Sequence, residues 1–130
     1  MYFSLNFKPF PNYHIRSNAF IISSANMKRI RRGRVNSKMD AYRLESGKNS
    51  ITKQVERMGL RPLVVGKDGV GYEKSQWNLS KTFWWPDQPN LLVSDNQTRK
   101  YENESKNEKA KLELFAWGIV VSMPAREKPI

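Results

Sequence analysis

The sequence predicts a small α+β domain over residues 40–130. It has short helices, one β-hairpin and a C-terminal helix, behind a disordered basic N-terminal segment covering residues 1–39. Three observations lead there. Two stretches space apolar residues at helical intervals between Ser or Asn starts and Gly stops. A third places a Gly-rich turn between two short strand-like runs. Charge is also divided unevenly: residues 1–39 hold eight basic side chains and no acid, whereas the rest holds 15 basic against 12 acidic. Most of the net charge of +11 therefore belongs to the first third. A chain of 130 residues has room for one domain. Without Cys it has no disulfide, thiol nucleophile or thiolate metal site.

The segment 1–39 carries five Ser, five Asn and arginines gathered toward its far end. That is the composition of an organelle transit peptide, which must stay unfolded and be drawn toward anionic membranes and acidic receptors. The late position of the arginines favours the chloroplast, with the mitochondrion as the alternative. "AFIISSA" (19–25) is too short for a secretory apolar region. "MKRIRRGRVNSK" (27–38) also has a second reading, in which Arg29, Arg31, Arg32 and Arg34 grip RNA phosphates without sequence preference. A solvated or nuclear-import basic run is the third.

In the body, "SKMDAYRLESGKN" (37–49) predicts a short helix with Met39, Tyr42 and Leu44 on its apolar side, stopped by Gly47. "NSITKQVERMG" (49–59) predicts another. Asn49 or Ser50 caps it, Ile51, Val55 and Met58 share a face, and Gly59 ends it. "RPLVVGKDGVGYEK" (61–74) reads as a hairpin turning at Gly66, Asp68 and Gly69. Within it, "LVVGKDGVG" resembles the loop of KH RNA-binding domains, where an apolar pair precedes a G-x-x-G turn bearing Lys. The resemblance implies that Gly66, Lys67, Asp68 and Gly69 approach a nucleic-acid backbone. It covers nine residues, and the helix that precedes such a loop would here pass through Gly59 and Pro62. An interior Pro costs a helix about 3 kcal/mol.

"WNLSKTFWWPDQPNLLV" (77–93) places Trp77, Phe83, Trp84 and Trp85 within nine residues, and Pro86 and Pro89 demand an extended, turning path. Such rings ordinarily form a core. The functional alternatives are a docking patch and a base-stacking platform, the latter supported only by Lys74 and Lys81 nearby. Farther on, Asp95 or Asn96 can cap a helix, and Glu102 and Lys106 form a favourable i, i+4 pair. The apolar run 112–123, stopped by Pro124, is a helix or a strand. Ten residues of helix reach about 15 Å, half of a bilayer core. Phe115 and Trp117 join the candidate docking set. "ESKNEKAKL" (104–112) is similar to the E-x-x-N-G-R-x-A-M signature of light-harvesting-like and high-light-inducible thylakoid proteins. Glu104 and Asn107 match, and Lys109 stands for the Arg. In that family these polar residues bind chlorophyll or pair with a partner helix. Here Glu108 replaces the glycine and Lys111 a small residue, so no ligand is carried over. The similarity points to the plastid.

His14 is the sole histidine, and no His, Cys and carboxylate grouping or paired nucleophile and base is legible. The expectation is a non-catalytic accessory or assembly protein, without cofactor or metal, imported into an organelle. It would dock on a larger complex through Trp77, Phe83, Trp84, Trp85, Phe115 and Trp117, with a membrane surface as a further partner but no full span. The alternative is an RNA-binding or ribosome-associated protein using Arg29, Arg31, Arg32, Arg34, Gly66, Lys67 and Gly69.

Overall fold

Helix starts in this chain are set by short oxygen-bearing side chains, which accept the backbone N–H groups that a first turn leaves unpartnered. The computed structural model describes residues 13–118. In it Ser23 caps α1 (Ser24–Arg29), Ser37 caps α2 (Lys38–Ser46) and Ser50 caps α3 (Ile51–Arg57). Asp95 starts α4 (Asn96–Asn103) with a reciprocal capping box, in which Thr98 Oγ1 accepts the Asp95 N–H at 2.8 Å. Ser105 caps α5 (Lys106–Trp117), which ends at Gly118 in the left-handed conformation, φ 73°. Between α3 and α4 come the strands β1 (Val64–Val65) and β2 (Gly71–Tyr72), then one 3₁₀ helix, Lys74–Leu79. The strands pair antiparallel, Val64 with Tyr72 and Val65 with Gly71. Among the described residues, five α-helices and one hairpin make the α+β domain that the patterning predicts.

The hairpin turn closes on itself and on a distant side chain. Asp68 accepts from the Val70 N–H at 2.9 Å and from the Tyr72 hydroxyl at 2.7 Å. Asn90 lies across the turn. Its carbonyl oxygen accepts from Lys67 N at 2.8 Å, its Oδ1 from Asp68 N at 2.9 Å, and its Nδ2 donates to Ser80 O at 2.8 Å. A Cβ at Gly66 would stand 2.0 Å from the Asn90 amide, so the side chain is absent there to admit this contact. Asn90→Ala leaves the Ser80 carbonyl and the Asp68 N–H without these partners, and should cost about 1–3 kcal/mol. Urea denaturation checks this; a loss below about 0.5 kcal/mol would mean that water replaces Asn90 without penalty.

The aromatic stretch turns, as its prolines require, through four non-glycine residues in the left-handed region: Lys81, Trp84, Asp87 and Gln88. Side-chain bonds hold this costly path. Gln88 accepts from Trp84 N at 3.0 Å and donates to Thr98 O and to Glu102 Oε1, each at 3.2 Å. The rings then stack inward. Trp77, Phe83, Trp84, Tyr101, Ala116 and Trp117 form the buried cluster, flanked by Ile15, Val64, Tyr72, Trp85 and Leu112. Phe83 and Trp84 stack at 4.3 Å between centroids, and Trp117 Nε1 donates to Phe83 O at 2.8 Å.

Three local expectations are corrected. Met39 is 53% exposed, and α2 buries Ser46 where an apolar side was expected. Glu102 and Lys106 do not share a helix: Ser105 caps a new one between them, and Glu102 instead meets Gln88. The same break puts Glu104 at the end of α4 and Asn107 in α5, so the thylakoid-like signature has no continuous helix to occupy. Of the apolar run 112–123, positions 119–123 lie outside the described residues.

The basic segment also differs from its expectation where it touches the body, at residues 13–18 and at Ile30 and Arg31, while residues 32–37 stay exposed; residues 1–12 lie outside the described part. Ile15 N donates to Thr52 Oγ1 at 2.8 Å. Arg16 pairs with Asp95 at 3.0 Å and lies over the Phe83 ring at 3.8 Å. Ser17 donates to Glu45 through its N–H at 3.0 Å and its hydroxyl at 2.9 Å. Farther along, the buried Gln54 amide accepts from Arg31 N at 2.8 Å and donates to Arg31 O at 2.9 Å, in the manner of a strand pair. Composition alone argued for a loose leader because these partners are distant in sequence.

Candidate functional site

The proposed docking rings divide once placed. Trp77, Phe83, Trp84 and Trp117 are each 8% exposed or less, so they form the core and present little surface to a partner. Trp85 is half-buried, edge-on to Trp117 at 6.3 Å. Phe115 is 47% exposed, at 6.4 Å from the Trp84 ring. Only these last two keep apolar area at the surface.

The residues of the alternative site divide as well. Gly66, Lys67, Asp68 and Gly69 form a turn between two strands, not a loop between helices. The Lys67 and Asp68 amides, which a phosphate would need, are bonded to Asn90. The KH resemblance therefore ends at nine letters of sequence. Arg29 closes α1, and Arg31, Arg32 and Arg34 follow on a stretch without helix or strand. All four, with Lys28, are exposed, and among the described residues no carboxylate pairs with any of them.

A third feature was not singled out by sequence. Beside the aromatic core runs an apolar groove of about 730 Å³. One wall is the segment carrying Ile15, Phe20, Ile21 and Ile22, and a second is Ile51 and Val55 of α3. The approach to the hairpin adds Leu63, Val64 and Val65, and Leu91, Leu92 and Val93 close the far side. Its rim is rich in uncovered apolar groups: Phe20 at 41%, Leu63 at 44%, Val93 at 51% and Ile21 fully exposed. Soluble chains rarely expose a contiguous patch of this kind without using it. The signal was present as three short apolar runs, "AFII", "PLVV" and "LLV", whose convergence no local pattern reveals.

The acids at the groove are engaged. Burial pushes the Glu45 carboxyl up, but the two bonds from Ser17 and the nearby His14 outweigh it and hold it below the ordinary carboxylate range. Asp95 is likewise held low: burial opposes ionisation, while the Thr98 N–H and Arg16 favour it more. A smaller cleft of about 370 Å³ is lined by Glu56, Arg61, Glu73 and Lys74, whose charges are already paired. Among the described residues no group of three or more His, Cys, Asp or Glu could hold a metal ion, and no helix is long and apolar enough to cross a membrane. No protein-family model matches the chain, and no curated protein or solved structure is significantly similar to it, so its own geometry carries the functional reading.

Proposed function

We propose that this protein is a non-catalytic accessory or assembly factor that docks on a larger complex through the apolar groove and the basic strip beside it. The observation that carries the reading is an uncovered aliphatic rim next to cations without a partner carboxylate among the described residues. Burying that rim is worth roughly 25 cal/mol per Å² of apolar area. Import into an organelle, the chloroplast before the mitochondrion, is the setting that the acid-free N-terminal third supports. Because Ile15, Arg16 and Arg31 are bonded to the body, the segment would serve as an import signal that stays with the working protein, arginines included.

The exposed arginines also favour a second reading, RNA binding through the arm alone, without the 66–69 turn. Mass spectrometry of the native N-terminus and size-exclusion of native extract test both. We expect Ile15 to be retained, with the 15.2 kDa chain eluting in a much larger assembly that survives ribonuclease. A mature N-terminus near residue 40 would remove the basic strip and dismiss both readings. Elution as a free monomer would dismiss docking. Collapse of the assembly on ribonuclease treatment, with a steep salt dependence of RNA affinity, would put the RNA reading first.

A further inference from the structure

We propose that the groove receives the apolar face of an acidic amphipathic helix from a partner protein; this rests on the docking reading above and names the partner's chemistry. Shape is the first argument. The site is an open pocket of about 730 Å³ lined by aliphatic side chains from four separate segments, and such a concavity is filled by a convex ridge such as a helix presenting anchors at i, i+3, i+4 and i+7. A flat bilayer surface leaves it empty. Nucleic acid would call for several stacking rings, and the walls are built largely of Ile, Val and Leu, with Phe83 buried and Phe20 the single exposed ring in the lining.

Charge is the second argument. Asn26 of α1 lines the groove, and Arg29 lies three residues on, along the same helix face. Ile51 and Val55 of α3 line the groove, and Gln54 between them grips the Arg31 backbone in both directions. The basic strip is therefore fastened to two elements that form the groove's own walls. The acids there are committed inward: Glu45 to Ser17, and Asp95 to Arg16, Asn18 and the start of α4. The charged groups that line the groove, Arg16, Arg61, Glu45 and Asp95, all have partners; the cations without a carboxylate partner, Lys28, Arg29, Arg31, Arg32 and Arg34, lie on its flank, so a helix with acidic residues beside its apolar stripe is attracted there and a basic one is repelled. The fixed Arg31 backbone spares part of the ordering cost that a loose arm would incur on binding.

The test uses the full chain and a labelled synthetic helix of about 18 residues, Leu at helical spacing and Glu elsewhere, followed by fluorescence anisotropy. Parallel arms use the same peptide with Lys for Glu, a double-Pro version, phosphatidylglycerol vesicles and single-stranded RNA. We expect the Glu peptide to bind at least tenfold more tightly than the Lys and Pro versions. Val93→Asp and Ile21→Asp sit on the exposed rim and should each weaken binding about tenfold with an unchanged circular dichroism spectrum. Replacing Arg29, Arg31, Arg32 and Arg34 by Gln should weaken it similarly and flatten its salt dependence. Equal binding of Glu and Lys peptides, indifference to both rim variants, or binding only to vesicles or only to RNA would overturn the proposal. If the peptide fails while the native protein still elutes in a ribonuclease-resistant assembly, the helix proposal falls and docking stands. If the native protein is also monomeric, both fall.

Discussion

Trp77→Ala is expected to lower the unfolding free energy by about 3–5 kcal/mol, the largest loss available from a single side chain here. Trp77 is 1% exposed at the centre of the aromatic cluster. The Tyr13 ring, 6.1 Å away, joins the N-terminal segment to it. A small domain has a total stability of about 5–15 kcal/mol, so this one truncation consumes a large part of it. A milder variant separates packing from polarity. The Trp77 indole N–H is buried without a hydrogen-bond partner among the described residues, a group that ordinarily costs about 1–3 kcal/mol to strand. Trp77→Phe loses ring area but also removes that N–H, so it should cost less than half as much as Trp77→Ala. Phe115→Ala, on a ring that is 47% exposed, should cost about 1 kcal/mol or less. Urea denaturation of the three variants checks the order. A Trp77→Ala protein as stable as the parent would remove Trp77 from the core.

Tyr101→Phe should cost about 2–3 kcal/mol, the scale of a hydrogen bond to a buried charged acceptor, and should change how stability responds to alkali. The Tyr101 hydroxyl donates to Glu113 Oε1 at 2.5 Å, with the two residues 1% and 0% exposed. Burial first, then the bond to Glu113 and its charge, push the Tyr101 phenol far above its ordinary value of 10.0. The folded chain therefore keeps a proton that the unfolded chain releases above about pH 10. The stabilisation is complete below that pH and declines as pH rises beyond it. Tyr13 and Tyr72 are raised as well, so the measurement is a difference: unfolding free energy from about pH 8 to 12 in the parent less that in Tyr101→Phe. A gap that is constant below about pH 10 and narrows above it is expected. A gap that stays constant throughout would show that the Tyr101 proton is not linked to folding.

Glu113 also shows where reading a sequence stops working. "LELFAW" looks like an apolar run interrupted by one acid, with no local signal for which side faces inward. The helix turns Ala110, Glu113, Ala116 and Trp117 inward, so that Trp117 of the docking set is core, while Leu114 and Phe115 are 39% and 47% exposed. A carboxylate is tolerated at that position where Tyr101, twelve residues earlier on another helix, supplies a donor. Gln54 is a similar case. On α3 it reads as one more polar surface residue, yet it is 7% exposed and bonded to the Arg31 backbone, 23 residues away.

What the sequence determined by itself was local. Helix starts at Ser50 and Asp95, stops at Gly47 and Gly59, the turn at Gly66, Asp68 and Gly69, and the irregular path around Pro86 and Pro89 all follow from interactions spanning a few residues, whose signals lie side by side in the chain. Tertiary structure decided which rings were consumed by the core, that residues 13–18 and 30–31 lie against the body, and that three unremarkable apolar runs meet in one groove. Those outcomes depend on which distant surface each segment meets, because burial and hydrogen-bond satisfaction are set by packing partners and not by neighbours in sequence.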